Sequence, residues 1–290
     1  MPEGDTIFRT ARTLHRALAG RLVTRFESVY PRLTRVDRDT PLEGRIVERV
    51  EARGKHVLIW FGEGKDRPEA APTLVLRTHM RMHGSWHIYR PGERWQRPRH
   101  DMRIVIETDA IHAIAFGVPD AELATSDDIE RSSALHDLGP DVLADDFDAS
   151  EAVRRIVSRQ EISIADALLD QSAIAGIGNV YKSEILFAAG VHPFTPVAAL
   201  SPERIADVIA IAVKTMRANV AERASGMYAG RNTTGYLDPS ARLWVYGRAG
   251  KPCRRCGTVI AYAKHGAIPR VTYWCDRCQP QSLERNDRGR

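Results

Sequence analysis

An α+β fold is predicted for this chain, in which an N-terminal β-sandwich flanked by helices precedes a helical region and a small cysteine-rich hairpin. Three features of the 290-residue sequence predict it. Apolar residues recur with a period of two over most of the first 110 residues, as in half-buried strands. The period becomes that of amphipathic helices beyond about residue 150. All four cysteines lie between residues 253 and 278.

The N-terminal region is predicted to begin with a helix and to continue as strands. Asp5 is a suitable N-cap, and Gly20 ends the helix. The apolar positions of this helix fall on one face, at Ile7, Ala11, Leu14 and Leu18. Strands rich in β-branched and aromatic residues are predicted over Leu22–Val29, Arg45–Phe61, Thr73–Met80, Ser85–Tyr89 and Met102–Thr108.

The C-terminal half is predicted to be helical until the cysteines begin. A segment rich in Gly, Pro and Asp suits a linker, so the predicted boundaries are 1–140, a linker at 141–150, a helical domain at 151–247 and a hairpin at 248–290. The three glycines of Ala221–Pro239 indicate a loop. Helices are predicted over Ser150–Val157, Ser163–Leu169, Gly178–Ala188 and Pro202–Ala218.

The charge distribution favours a polyanionic partner. The net charge is +5, and from residue 240 onward eleven Lys or Arg face three acidic residues. From Asp120 to Glu151, by contrast, eleven acidic residues accompany only Arg131. A basic end of this kind contacts phosphates or is simply a solvated tail. No stretch is apolar enough for a membrane helix or a signal peptide, which predicts a protein of the cytoplasm, associated with the nucleoid if bacterial, and no membrane partner.

The cysteines predict a zinc site. Cys253, Cys256, Cys275 and Cys278 form two C-x-x-C knuckles separated by 18 residues, the spacing of a four-thiolate zinc site. Two disulfides or a redox pair are the alternatives, which the absence of a secretion signal disfavours. A structural zinc ion would staple a hairpin too small to bury its own core. Arg270 lies five residues before Cys275, where a rigid guanidinium would suit a phosphate or would be an ordinary surface charge.

The first residues, Met-Pro-Glu-Gly, are a candidate catalytic motif. Removal of Met1 would expose the imino group of Pro2, with the carboxyl group of Glu3 one residue away. The reference pKa of an α-amine is near 8, so part of it is uncharged and nucleophilic at neutral pH. Such an amine can attack a sugar carbon and form a Schiff base. The alternative is an ordinary N-terminal loop.

Three further segments complete a pattern. They are Arg53-Gly54-Lys55-His56, the turn from His79 to Gly84 (His-Met-Arg-Met-His-Gly), and Leu168–Tyr181, which joins two short helices through a Gly-containing turn. Together with Met-Pro-Glu-Gly and the cysteines, they make the chain from residue 2 to about 279 resemble the formamidopyrimidine-DNA glycosylase and endonuclease VIII family. The resemblance implies a helix-two-turn-helix domain before the zinc hairpin. It also implies a monomeric bifunctional DNA glycosylase and AP lyase that acts on damaged DNA in base excision repair.

The resemblance assigns roles to individual residues. Pro2 matches the nucleophile that attacks C1′ of the damaged nucleotide, and Glu3 the acid that assists ring opening. The residues that match the phosphate contacts beside the lesion are Lys55, His79, Asn179 and Arg270. The residues that match the side chains filling the gap left by the everted base are Arg81, Met82 and His83. A methionine in such a turn is otherwise more often a core residue.

Two departures from the family pattern bear on activity and substrate. Asp5-Thr6 follow Gly4 where a second Pro-Glu pair is usual, so one glutamate is missing at Thr6. Tyr228–Tyr246 shows no clear equivalent of the loop that covers oxidised purines, and the gap-filling triplet is contiguous, as in endonuclease VIII, although Arg81 is unusual there. The missing loop and the contiguous triplet favour oxidised pyrimidines as substrates over the alternative, the oxidised purines 8-oxoguanine and formamidopyrimidine.

Two functions of other classes remain as alternatives. A DNA-binding zinc-ribbon protein that cuts weakly or not at all would show salt-sensitive affinity without covalent chemistry. An RNA-directed zinc-ribbon protein would prefer A-form nucleic acid. Pro2, Glu3 and Lys55 together favour the glycosylase.

Overall fold

The computed structural model describes residues 2–64, 72–221, 230–265 and 269–281. The chain divides into two compact units, Met1–Asp137 and Leu138–Arg290. Of the predicted loop Ala221–Pro239, residues 222–229 lie outside the described ranges. Among the helices of the described ranges, none is both long and apolar enough to cross a membrane.

The first unit is a sandwich of two antiparallel four-stranded sheets with helices beside it. The bounds are α1 Gly4–Leu18, β1 Val23–Ser28, α2 Pro31–Asp39, β2 Ile46–Arg53, β3 His56–Gly62, β4 Leu74–His79, β5 Ser85–Tyr89, β6 Met102–Thr108, β7 His112–Phe116, β8 Asp120–Thr125, α3 Ser126–Arg131 and α4 Ser133–His136. One sheet has the strand order β1-β6-β7-β5 and the other β2-β3-β4-β8.

Alternation along the strands places the core between the sheets. Ile104 and Ile106 of β6 face residues such as Ile59 and Phe61 of β3 in one buried cluster. Val105, between the first two, joins a second cluster on the outer face, where Trp95 also packs. Burial of each such large apolar side chain contributes roughly 1.5–3 kcal/mol. This core fixes the strand ends and the turns that carry the candidate residues.

Helix α1 has the predicted buried face but begins earlier than predicted. Ile7 and Leu14 are each 1% exposed. The N-cap is Glu3 rather than Asp5, because the Glu3 carbonyl already accepts the amides of Thr6 (2.9 Å) and Ile7 (3.0 Å). Asp5 lies in the first turn, fully buried, with its carboxylate 3.2 Å from Arg9. The N-cap prediction at Asp5 is therefore wrong by two residues.

The described part of the second unit contains four main helices and a two-stranded hairpin. The bounds are α5 Ala149–Val157, α6 Ile164–Leu169, α7 Asn179–Ala189, α8 Pro202–Val220, β9 Ala261–His265 and β10 Arg270–Trp274. The four predicted helices are confirmed to within two residues at each end. The side chains of Asp148, Ser163 and Ser201 cap α5, α6 and α8, which explains where these helices start. Residues 141–148 belong to this unit, and Val142 is completely buried in it.

Helix α7 is buried along almost its whole length, so its polar residues need partners within the unit. Glu184, 1% exposed, accepts hydrogen bonds from the backbone amides of Trp244 (2.8 Å), Val245 (2.9 Å) and Tyr246 (2.8 Å). The hydroxyl of Thr233 also donates to this carboxylate. One side chain thus holds two separate points of the chain against α7.

Candidate functional site

The residues proposed for the chemistry lie at the start of α1. Pro2 is half-buried, and Glu3 is 1% exposed in an extended conformation (φ −127°, ψ −178°). Thr6, which occupies the position of the missing glutamate, donates a 3.3 Å hydrogen bond to Asp5 and lines an open cavity of about 300 Å³ with Arg9 and Trp86. The helix start therefore keeps the carboxyl group of Glu3 next to Pro2 but has a hydroxyl one turn further on.

Lys55 and His79 lie on neighbouring strand ends. Lys55 is in the tight turn between β2 and β3, where Gly54 has φ +60°. His56, directly after it, pairs with His79 across β3 and β4, and their ring centroids are 4.8 Å apart. The register of one sheet therefore brings together two of the four predicted phosphate contacts.

The two histidines of this edge are neutral at physiological pH. Burial, reinforced by the neighbouring His79 and Arg77, lowers the pKa of His56 to about 3. Burial, reinforced by the Arg81 charge, lowers the pKa of His79 to about 4. Nδ1 of His79 accepts the backbone amide of Arg81 at 3.1 Å, so the neutral ring carries its proton on Nε2. His79 can therefore offer a phosphate a neutral N–H donor.

The turn after β4 presents the three predicted gap-filling residues together. Arg81, Met82 and His83 are all exposed, whereas Met80 before them is 2% exposed. Met82 is 55% exposed, so it is not a core residue. Arg81 has φ +48°, a conformation uncommon outside glycine, and its guanidinium lies 3.3 Å from Asp120. Asp120 also lies 3.1 Å from the buried Arg77, which ties the turn to the sheet.

The remaining predicted phosphate contacts lie in the second unit. Asn179 is the first residue of α7 and is 6% exposed; its Nδ2 donates to the carbonyl of Val271 at 2.8 Å. Arg270, the residue before Val271, is exposed at the start of β10 and pairs with His265 of β9. The hydrogen bond to Val271 therefore places Asn179 beside the strand that carries Arg270.

The four cysteines fit a tetrahedral zinc ion. Their Sγ atoms all lie within 4.8 Å of one another, with Cys253 and Cys278 at 3.9 Å and Cys256 and Cys275 at 3.5 Å. A Zn–S bond of about 2.3 Å requires an edge of about 3.8 Å between sulfurs in a tetrahedron. These separations match that edge and are far longer than a disulfide bond of about 2.05 Å. The donor set and its geometry therefore both suit zinc.

Several residues of the site were missed by sequence reasoning. Arg77 and Asp120 read as ordinary strand charges, and no pattern along the chain shows that they meet. Lys182 could have been noticed, because a residue three positions after Asn179 lies on the same face of a helix. Its Nζ lies 2.6 Å from Oδ1 of Asn179.

Three family models match the chain in order. The formamidopyrimidine-DNA glycosylase N-terminal domain matches residues 1–127, and the formamidopyrimidine-DNA glycosylase H2TH domain matches residues 138–229. The zinc finger found in FPG and IleRS matches residues 250–281. Together with the cysteine geometry, this match identifies the C-terminal hairpin as a zinc finger.

Curated relatives are similar over nearly the whole chain. A "Probable endonuclease 8 2" of Streptomyces coelicolor is 40% identical, covering 96% of this chain and 94% of its own. The "DNA-(apurinic or apyrimidinic site) lyase Nei2" of Mycolicibacterium smegmatis is 38% identical (97% and 100%). A formamidopyrimidine-DNA glycosylase of Exiguobacterium is 32% identical (96% and 99%).

The fold is also that of a solved structure. The Lactococcus lactis Fpg protein, in a complex with DNA containing an abasic site, superposes with a TM-score of 0.75. At 24% identity it covers 97% of this chain and 99% of its own. This likeness extends through the sandwich, the helical region and the hairpin.

Proposed function

This chain belongs to the formamidopyrimidine-DNA glycosylase family, and we propose that within it the protein excises oxidised pyrimidines, using Pro2 as the nucleophile. It is a DNA glycosylase and AP lyase of base excision repair, as its relatives' names indicate. We further propose that it acts as a monomer. The observation that carries the choice of substrate is the contiguous, exposed triplet Arg81-Met82-His83.

The proposed chemistry begins at the imino nitrogen of Pro2, once Met1 has been removed. This nitrogen forms a bond to C1′ while the bond from C1′ to the base breaks, and the base leaves with that electron pair and takes up a proton. The buried carboxyl group of Glu3 gives a proton to O4′ as the sugar ring opens, which leaves an iminium at C1′. No redox partner is required in this step.

Strand cleavage follows from the iminium. Because it withdraws electrons, a proton on C2′ becomes acidic, and its loss expels the 3′ phosphate. Loss of a second sugar proton expels the 5′ phosphate, and water then hydrolyses the iminium and frees Pro2. These are the β- and δ-eliminations of a bifunctional glycosylase, and they need no metal, so the zinc ion acts only on the fold of the hairpin.

The damaged nucleotide must leave the DNA double helix before Pro2 can reach its C1′. We propose that Lys55, His79, Asn179 and Arg270 donate hydrogen bonds to phosphates beside the lesion. Contacts to phosphates carry no sequence information, which suits an enzyme that must act wherever damage occurs. The neutral N–H of His79 adds a hydrogen bond without adding a charge.

Two observations support oxidised pyrimidines over purines. The three candidate gap-filling residues follow one another on a single turn, as the resemblance associates with endonuclease VIII. The relatives named endonuclease 8 2 are 40% identical to this chain, whereas relatives named formamidopyrimidine-DNA glycosylase and endonuclease 8 are 32% and 29% identical. Of the segment Tyr228–Tyr246, the first two residues lie outside the described ranges.

A second candidate function is binding to damaged DNA with little cleavage. Thr6 favours it, because a hydroxyl cannot replace the charge of the glutamate that the resemblance expects there. The two functions differ in whether a covalent intermediate forms.

The test is reductive trapping across a lesion panel. Borohydride should trap the protein on duplexes containing thymine glycol, dihydrouracil or hydroxycytosine, and peptide mapping should place the adduct on Pro2. Pro2→Gly should lose most base excision while keeping its affinity, and a variant with one residue added before Pro2 should give no adduct. Single-stranded versions of each lesion complete the panel.

Each proposal has its own contrary result. Faster excision of 8-oxoguanine than of every pyrimidine lesion would replace the pyrimidine assignment with the purine one. Absence of an adduct from protein shown by mass spectrometry to lack Met1 would leave the weakly cutting DNA-binding protein. Light scattering that gave a dimer would refute the monomer.

A further inference from the structure

Lys182 is a buried cation in the second turn of α7. It is 1% exposed, and a charge removed from water costs several kcal/mol unless hydrogen bonds compensate it. Its Nζ donates to Oδ1 of Asn179 at 2.6 Å and to Oγ1 of Thr272, itself 1% exposed, at 2.7 Å. One ammonium group therefore bonds both to a proposed phosphate contact and to the zinc-finger strand β10.

These bonds determine which way the Asn179 amide faces. An ammonium group has donors and no acceptor, so only the oxygen of the amide can face Lys182. The nitrogen then faces β10, where one of its two hydrogens is donated to the Val271 carbonyl at 2.8 Å. The second hydrogen on Nδ2 of Asn179 has no acceptor within the described part of the chain, so it is available to an acceptor from outside it. With the amide reversed, the nitrogen would face the ammonium group and the oxygen the carbonyl, and both contacts would be repulsive.

The same cluster fixes the position of β10 against α7. Asn179 bonds to residue 271 and Lys182 to residue 272, and the amide of Tyr273 donates to Oγ of Ser183 at 3.5 Å. Three successive residues of the strand are thereby held by the first turns of one helix. Arg270 immediately precedes them, so its backbone is held at a set distance from the start of α7.

We propose that Lys182 is a positioning residue for phosphate binding that acts by orienting the Asn179 amide beside Arg270. This inference rests on the proposed function, in which both residues contact the DNA backbone. The buried positive charge also lies within one turn of the α7 N-terminus, where it adds to the favourable field for an anion. Thr272 completes the arrangement as the partner on the strand.

The test compares Lys182→Met with Asn179→Ala and with the double variant. Methionine has a similar length and no charge, so it preserves packing and removes the donor. Each single variant should weaken binding of full-length, zinc-loaded protein to a lesion duplex by about tenfold. Because Lys182 acts through Asn179, the double variant should bind no more than about threefold worse than Asn179→Ala alone. The single-turnover rate at saturating DNA should change little, since the chemical groups are untouched.

Two further variants separate positioning from mere stability. Ser183→Ala removes the 3.5 Å bond from the Tyr273 amide and the bond to the Asn179 carbonyl, but it leaves the Asn179 side-chain amide with its partners, so it should weaken binding less than Lys182→Met does. Lys182→Gln keeps an N–H donor for Oδ1 and should recover part of the affinity that Lys182→Met loses, at equal zinc content. If Lys182→Met did not fold, the glutamine variant and Asn179→Ala would still form the cycle.

The outcomes distinguish the inference from its premise. If Asn179→Ala binds as the wild type does, the phosphate role of Asn179 fails, and the inference fails with it. If Asn179→Ala loses affinity but Lys182→Met does not, the inference alone is wrong. Losses that multiply in the double variant would show that Lys182 acts independently of Asn179, which also overturns the proposal.

Discussion

His56 makes the stability of the sandwich depend on pH, and the size of the effect follows from its burial. It is 9% exposed on β3, with the Arg77 guanidinium 3.2 Å from its Nδ1 and the His79 ring beside it. These surroundings penalise the imidazolium and lower the pKa of His56 from 6.5 to about 3. The perturbation is a change of pH from 7.5 to 5.0, with His56→Gln as the matched control.

The sign follows from proton linkage. Between about pH 3 and 6.5 the unfolded chain protonates this histidine and the folded chain does not, so stability is complete above pH 6.5 and falls as the pH falls. At pH 5.0 the solution is 1.5 units below the unfolded pKa of 6.5, and each unit lowers the free energy of unfolding by about 1.36 kcal/mol. His56 should therefore account for a loss of roughly 2 kcal/mol between pH 7.5 and 5.0.

The measurement is urea unfolding at the two pH values, followed by hydrogen exchange of peptides from β3 and β4. Other groups also titrate, so the informative quantity is the difference between the wild type and His56→Gln. Glutamine carries no charge at either pH and can still accept from Arg77. Equal pH dependence in the two proteins would refute the reasoning, because it would mean that the folded protein accommodates a protonated His56.

Two further predictions concern the zinc finger and the exposed turn. Chelation of zinc, or Cys256→Ser, should remove exchange protection from β9 and β10 and abolish DNA binding; affinity that survives would show that zinc does not position Arg270. Met82→Ala should change the free energy of unfolding by less than about 0.5 kcal/mol, because the side chain is 55% exposed. The same variant should lower excision about tenfold through lost stacking, whereas Leu22→Ala, at a residue that is 47% exposed, should change neither excision nor stability. Unaltered excision by Met82→Ala would exclude a role in filling the gap.

Local patterns predicted the elements whose stabilising interactions are local. The buried face of α1 follows from the spacing of Ile7 and Leu14, and α8 starts where Ser201 can cap it. Helix α2 was missed because its sequence is largely polar and only Leu33 is buried. Strands β7 and β8 were also missed, since short segments depend on their neighbours in the sheet more than on their own composition.

The electrostatic part of the site could not be predicted from the sequence. His79 was named as a phosphate contact, but its neutral state and its tautomer depend on burial and on an amide two residues away. Lys182 and Arg45 read as surface charges, although they are 1% and 0% exposed. Nothing in their own segments reveals the buried acceptors that accommodate them, such as the Pro72 carbonyl 2.9 Å from Arg45.

Glu184 allows the segment from Thr233 to Trp244 to change in length without disturbing the rest of the unit. Both ends of this segment form hydrogen bonds to the Glu184 carboxylate, so they stay in place against α7 whatever residues lie between them. Doubling the length of a flexible loop costs only about 0.6 kcal/mol in closure entropy. Insertions between these two residues would therefore be tolerated during evolution, while the anchored scaffold stays intact.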